Sequence, residues 1–219
     1  MKVIAEFVGT MLLVLAVVGS GMMAQSLTAD AGLQLVINSS ATVAALYVLI
    51  SLIAPLSGAH FNPAVTLVSA LERDKTARSA FAYVPAQVMG AIAGSLLAHL
   101  SFDIPLAISS KDRIGVHLLL AEVVATFGLL VVVFADWKRY RLRHRALLIA
   151  LWIGGAYFFT SSTSFANPAV TVGRIFTDSI AGISPMSVLP FIAAQFIGAL
   201  LAWFALRGIR ASLRVNEQD

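Results

Sequence analysis

Two carboxylates lie inside long apolar runs, Glu6 and Glu122, each followed by a threonine in Glu6-x-x-x-Thr10 and Glu122-x-x-x-Thr126. An ionisable side chain at such a place suits two chemistries. It can carry protons across a membrane, or it can accept hydrogen bonds from backbone that is not helical. The second is the plainer reading. Two amides, Gln87 and Gln195, each open a Gln-x-x-Gly-Ala sequence, and the phrase Asn-Pro-Ala-Val-Thr occurs at 62–66 and again at 167–171. Asn is a preferred helix N-cap and Pro suits the first helical position, so Asn62-Pro63-Ala64 and Asn167-Pro168-Ala169 each read as a helix start. His60 reads as a buried hydrogen-bonding residue beside the first box. His99, His117 and His144 lack metal-ligand spacing, and there is no cysteine. No Ser-His-acid order, metal cluster or phosphate loop stands out, so no enzyme, cofactor or metal site is expected.

The elements that must position these residues are membrane spans. Of 219 residues, 59% are hydrophobic and 12% charged, against about 25% charged in a soluble domain. Six spans are expected, at Ile4–Ala24, Gln34–Ala54, Ala80–Leu100, Gly115–Ala135, Ala146–Ser162 and Val188–Leu206. The first also resembles a signal peptide, but Glu6 belongs to the repeat and argues for a retained span. From Asn62 to about Leu71 there is room for only about 14 Å of helix, half a bilayer. Glu6, Asn62 and Gln87 are answered in order by Glu122, Asn167 and Gln195. Three spans per half turn the second half over, so the chain reads as one channel domain, 1–219, built from inverted pseudo-repeats 1–110 and 111–219.

Lys and Arg distribution sets the orientation. One face collects Lys2, Arg73, Lys75, Arg78, Lys138, Arg139, Arg141, Arg143, Arg145, Arg207, Arg210 and Arg214; the other has Lys111, Arg113 and Arg174. Both termini are therefore expected in the cytoplasm, in a plasma (inner) membrane protein. The basic Trp137–Arg145 stretch reads as a topology-fixing loop near anionic lipid rather than a nucleic-acid site.

Two half-helices entering from opposite faces can meet N-terminus to N-terminus, placing positive potential at the midplane and amide donors of the capping Asn side chains free toward a pore. Such a centre repels cations and favours small neutral molecules. With the twin boxes, the Ser57-Gly58-Ala59-His60-Phe61 lead-in, Glu6, Glu122, Gln87 and Gln195 in view, the whole chain resembles the aquaporin and aquaglyceroporin family. The resemblance implies an all-α membrane protein of six transmembrane helices plus two half-helices. It implies a homotetramer with one pore per subunit, passing water or small uncharged solutes passively.

The chain departs from the family pattern at the outer constriction, where an aromatic residue and an arginine are usual. Val170 stands where the arginine is expected, and an ungapped count puts the other filter positions at Thr42, Gly155 and Ser164. That filter is wide and free of arginine. It suits glycerol-like polyols, urea or neutral metalloid hydroxides, and the second box resembles bacterial arsenite-permeable channels. Arg174, four residues past Val170, either supplies an outer-pore charge one turn further out or, the preferred reading, pairs with Asp178 on the outer surface. An ion-coupled secondary transporter and a water-selective pore are the alternatives.

Overall fold

The structure, a computed structural model, describes residues 1–72, 81–135 and 141–216. In chain order the helices are α1 (Lys2–Leu27), α2 (Ala31–Ser57), α3 (Pro63–Leu71), α4 (Tyr83–Phe102), α5 (Val116–Phe134), α6 (Leu142–Phe159), α7 (Pro168–Gly173) and α8 (Pro185–Asn216), with a 3₁₀ turn over Arg174–Phe176 after α7. Among the described residues there is no strand. Six helices are long; α3 and α7 are the short pieces that begin at the two Asn-Pro-Ala boxes.

Five helices, α1, α2, α4, α5 and α8, are long and apolar enough to cross a membrane. The sixth long helix, α6, falls short because Arg143, His144 and Arg145 occupy its first turn. It begins at Leu142 and ends at Phe159, earlier than the apolar run at 146–162 suggests. The polar Thr160-Ser-Ser-Thr stretch leaves the helix, while the basic turn stays in it. Arginine is a good helix former, and its long stem can lead the charge to the interface. For the same reason α8 runs past Leu206 through Arg207 and Arg210. Of the basic residues used to orient the chain, Arg73, Lys75, Arg78, Lys138, Arg139 and the side chain of Arg214 lie outside the described residues.

Packing is paired. α1 lies against α2 and α4, while α5 lies against α6 and α8; α3 touches α8, and α7 touches α4. The α1–α4 and α5–α8 contacts are close because Gly90 faces the backbone of Phe7 and Gly198 faces that of Val123, where any Cβ would collide with a carbonyl. These small-residue contacts, Gly94 against Met11 among them, are therefore within the chain itself. At one end, Arg210 bridges Glu72, the cap of α3, and the carbonyl of Phe134 at the end of α5. At the other end the 104–115 segment meets the 174–184 segment: Ser109 N–H donates to Ile175 O (2.8 Å) and Ser184 N–H to Lys111 O (2.7 Å).

Candidate functional site: a cavity between two opposed helix starts

The two carboxylates organise the backbone ahead of each short helix. Glu6 and Glu122 are fully buried. Glu6 accepts from His60 N–H (3.0 Å), Phe61 N–H (2.7 Å), Ser57 Oγ (2.6 Å) and Gln87 Nε2 (2.8 Å). Glu122 accepts from Phe165 N–H (2.9 Å), Ala166 N–H (2.9 Å) and Gln195 Nε2 (2.6 Å). The lead-in backbone is strained in matching places, with positive φ at Ala59 (52°) and Phe61 (50°) and at Ser164 (50°) and Ala166 (47°). Non-glycine residues in this region cost about 1–3 kcal/mol each, and charge-assisted bonds from several N–H groups offset that. Because a trans peptide points its N–H and C=O opposite ways, N–H groups turned onto Glu6 and Glu122 aim the carbonyls of Ala59, His60, Ser164 and Phe165 away from the carboxylates. All four residues line the central cavity. With this many donors directed at them, the carboxylates act as backbone acceptors.

Each box then caps its own helix and reaches across to the other. Asn62 Oδ1 accepts from Ala64 N–H (2.8 Å); Asn167 Oδ1 accepts from Ala169 N–H (3.0 Å) and Val170 N–H (3.2 Å). Pro63 and Pro168 sit at the first helical positions. Asn62 Nδ2 donates to Ala166 O (2.8 Å), and Asn167 Nδ2 donates to Phe61 O (2.7 Å). The helix starts thus face one another. The amides are not wholly free donors, as the sequence suggested: one N–H of each is spent across the junction, and the second remains for the cavity that both Asn residues line. Gln87 and Gln195 complete the supports, donating also to Thr66 Oγ1 (3.1 Å) and Thr171 Oγ1 (2.9 Å). His60 lies 3.1 Å from Thr66 Oγ1 through Nδ1 and stands edge-on to Tyr83.

The cavity, about 630 Å³, runs from Phe134, Leu142 and Arg145 past both Asn residues to Thr42, Tyr157 and Arg174. Its wall mixes apolar side chains, among them Leu13, Leu46, Ile50, Val65, Ile149 and Val170, with Asn amides, hydroxyls, and the arginines Arg145 and Arg174. Its described lining has no carboxylate. Thr42, Ser164 and Val170 are in the wall, and Ser164 Oγ is buried without a protein partner among the described residues. Gly155 is not in the wall. It is exposed on the face of α6 turned away from the cavity; the residues of α6 that line the cavity are Leu142 and, spaced four apart, Arg145, Ile149, Ile153 and Tyr157. On this stretch of α6 it is Tyr157, not Gly155, that reaches the cavity. Its hydroxyl lies 3.2 Å from Thr42 Oγ1, which itself donates to Asn38 O.

Arg174 is likewise not on the surface. It is 2% exposed, lines the cavity, stacks its guanidinium 3.4 Å from the centre of the Phe165 ring and donates through Nε to Ala181 O. The pairing with Asp178 does not form. The α-helix stops at Gly173, so residues 174 and 178 do not share a helical face, and Asp178 instead accepts from Ser110 N–H (2.9 Å) and Ser110 Oγ (3.0 Å). The stop has a cause: a Cβ at 173 would lie 2.7 Å from Ala91 O, and Ser95 Oγ donates to Gly173 O (2.6 Å), so α7 is drawn onto α4. The cavity wall next to Val170 thus carries a guanidinium and a phenol that the filter count did not include. The aromatic in Gly-Gly-Ala-Tyr157, two residues from the counted glycine, was the available signal for the phenol.

A family model described as "Major intrinsic protein" matches residues 1–166. The chain is 51% identical over 207 residues to aquaglyceroporin AqpS of Rhizobium meliloti (strain 1021), covering 94% of this chain and 88% of that protein. It is 31% identical over 210 residues to a probable TIP-type aquaporin, RB7-5A, of Nicotiana tabacum, covering 92% and 84%. The fold is similar to that of the aquaglyceroporin from Plasmodium falciparum, with a TM-score of 0.70 at 20% identity over 92% of this chain and 93% of that one.

Proposed function

The chain belongs to the major intrinsic protein family, and from that premise we propose how its pore selects what it passes. It is an integral membrane channel that conducts water and small uncharged solutes such as glycerol passively. Our reading of selectivity has two stages. At the middle, the opposed N-termini of α3 and α7 hold positive potential beside Asn62 and Asn167, a barrier to cations. Beyond it, Thr42, Tyr157, Ser164, Val170 and Arg174 form the narrow part, with Val170 leaving width where an arginine would fill it.

The observation that carries this reading is the reciprocal bond between the boxes, Asn62 to Ala166 O and Asn167 to Phe61 O, inside one cavity that also has Arg174 in its wall. A wall that mixes apolar side chains with amides and hydroxyls suits solutes that carry both carbon and hydroxyl groups. Uncharged As(OH)₃ presents hydroxyls much as glycerol does, so the same pore is proposed to admit arsenite and antimonite as neutral hydroxides. We further propose a homotetramer in the plasma (inner) membrane with both termini cytoplasmic, supported by family membership and the lopsided Lys and Arg distribution. No catalytic chemistry and no nucleic-acid partner is assigned.

Full-length protein in proteoliposomes tests the reading. Glycerol and arsenite uptake should follow the solute gradient and ignore imposed pH or sodium gradients. Water flux with both solutes excluded would overturn the proposed width. Uptake driven by an ion gradient would overturn passive conduction.

A further inference from the structure

We infer that Arg113, which is outside the cavity, determines the pore's selectivity by holding Arg174 in its wall. The inference rests on the reading of Arg174 as a filter residue.

Three successive carbonyls in the segment after α7 are divided between the two arginines. Arg113 Nη2 donates to Ile180 O (3.1 Å) and Arg113 Nε to Gly182 O (2.8 Å), while the carbonyl between them, Ala181 O, receives Arg174 Nε. The same two guanidinium groups share one ring: Arg174 lies 3.4 Å and Arg113 4.9 Å from the centre of Phe165. A third bond, Arg113 Nη1 to Ser162 O (3.4 Å), ties the arginine to the strained lead-in that carries Ser164 and Phe165. Arg113 is pinned in turn, because its N–H donates to Ser187 Oγ (2.8 Å), which donates to Asp112 Oδ1 (2.8 Å).

The consequence for Arg174 is a restricted choice. With its two neighbours occupied, Ala181 O is the carbonyl left for Arg174, and that bond together with the Phe165 stack fixes the guanidinium beside Val170. Without Arg113, three carbonyls in a row compete for Arg174, and the side chain is drawn off the wall. Arg113 is thus a positioning residue. A lysine cannot replace it fully, since one ammonium lacks the planar fork that spans separate acceptors.

The test is a double-mutant cycle in proteoliposomes, reading ribitol uptake relative to glycerol, with single-channel amount normalised by protein content. Arg174→Ala should raise the ribitol-to-glycerol ratio, Arg113→Gln should raise it in the same direction by about threefold or more, and the two together should do no more than Arg174→Ala alone, as coupled neighbours behave. Arg113→Lys should fall between Arg113→Gln and the unaltered protein, and it carries the cycle if Arg113→Gln does not reconstitute. Equal loss of all solute fluxes without a change of ratio would mean that Arg113 only supports folding, and additive effects would mean that it acts apart from Arg174; either overturns the inference. An unchanged ratio in Arg174→Ala would instead overturn the filter reading beneath it.

Discussion

The two short helices begin with the same five residues and end differently. In α3 the box is followed by Leu67, Val68 and Ser69, and the helix runs on to Leu71; in α7 it is followed by Val172, Gly173 and Arg174, and the helix stops at Gly173. The shared part builds matching supports. His60 stands edge-on to Tyr83 at 5.4 Å and Phe165 edge-on to Phe191 at 5.3 Å, and each lead-in hangs on one carboxylate and one glutamine. The unshared part decides what faces the cavity one turn beyond each valine. Beside Val65 that residue is Ser69, small and uncharged; beside Val170 it is Arg174. Repetition gives the two lead-ins the same supports, and divergence places Arg174 one turn beyond the second box, while Arg145 of α6 lines the opposite end of the cavity.

Breaking the shared supports should have the largest effect. Glu6→Gln and Glu122→Gln each exchange a carboxylate for an amide that can accept through one oxygen only and turns an N–H toward buried donors. Each hydrogen bond to a charged group contributes about 1.5–3 kcal/mol, so both variants should lose most folded protein in detergent thermal-unfolding assays. Glu6→Gln should lose more, because Glu6 also receives Ser57 Oγ. Survival of either variant with full solute flux would show that the carboxylates do not hold the lead-ins.

Altering the unshared position should change selectivity and leave the fold intact. Ser69→Arg copies the arrangement beside Val170 onto the Val65 side and should lower glycerol flux clearly, whereas Ser69→Ala should leave it near the unaltered value; stopped-flow light scattering distinguishes them. Arg174→Ala, the opposite exchange, should widen the pore toward longer polyols. If Ser69→Arg and Ser69→Ala conduct alike, the residue one turn past each valine is not a control point.

The smallest effect concerns the clamp near the end of α7. The N–H and hydroxyl of Ser110 hold the Asp178 carboxyl below the ordinary carboxylate range. A depressed pKa means that the contribution is present above the unfolded value and is lost as pH falls through the folded one, below about pH 4. Asp178 is at the surface, so solvent screens the effect. Asp178→Asn should flatten a slight acid-side drop in thermal stability and leave solute ratios unchanged.

Much of the site was legible because it rests on residue identity. An Asn-Pro-Ala start, a lone Glu in an apolar run and a Gln-x-x-Gly-Ala segment each have few physical uses inside a membrane. What was not legible depends on register. Gly155 and Tyr157 are two residues apart on α6, and a count without coordinates cannot tell which faces inward. Arg174 was assigned by helical spacing to Asp178, but the helix ends at Gly173 because α7 is pressed against Ala91. Arg113 appeared only as one of three basic residues on its face, since the carbonyls that give it a role come from a loop far along the chain.

The most direct test of the account is glycerol, arsenite and water flux in Val170→Arg beside the unaltered protein. A second guanidinium next to Arg174 should sharply cut glycerol and arsenite uptake while water still passes, because Val170 is what leaves the wall wide. Glycerol and arsenite uptake unchanged relative to water would contradict it.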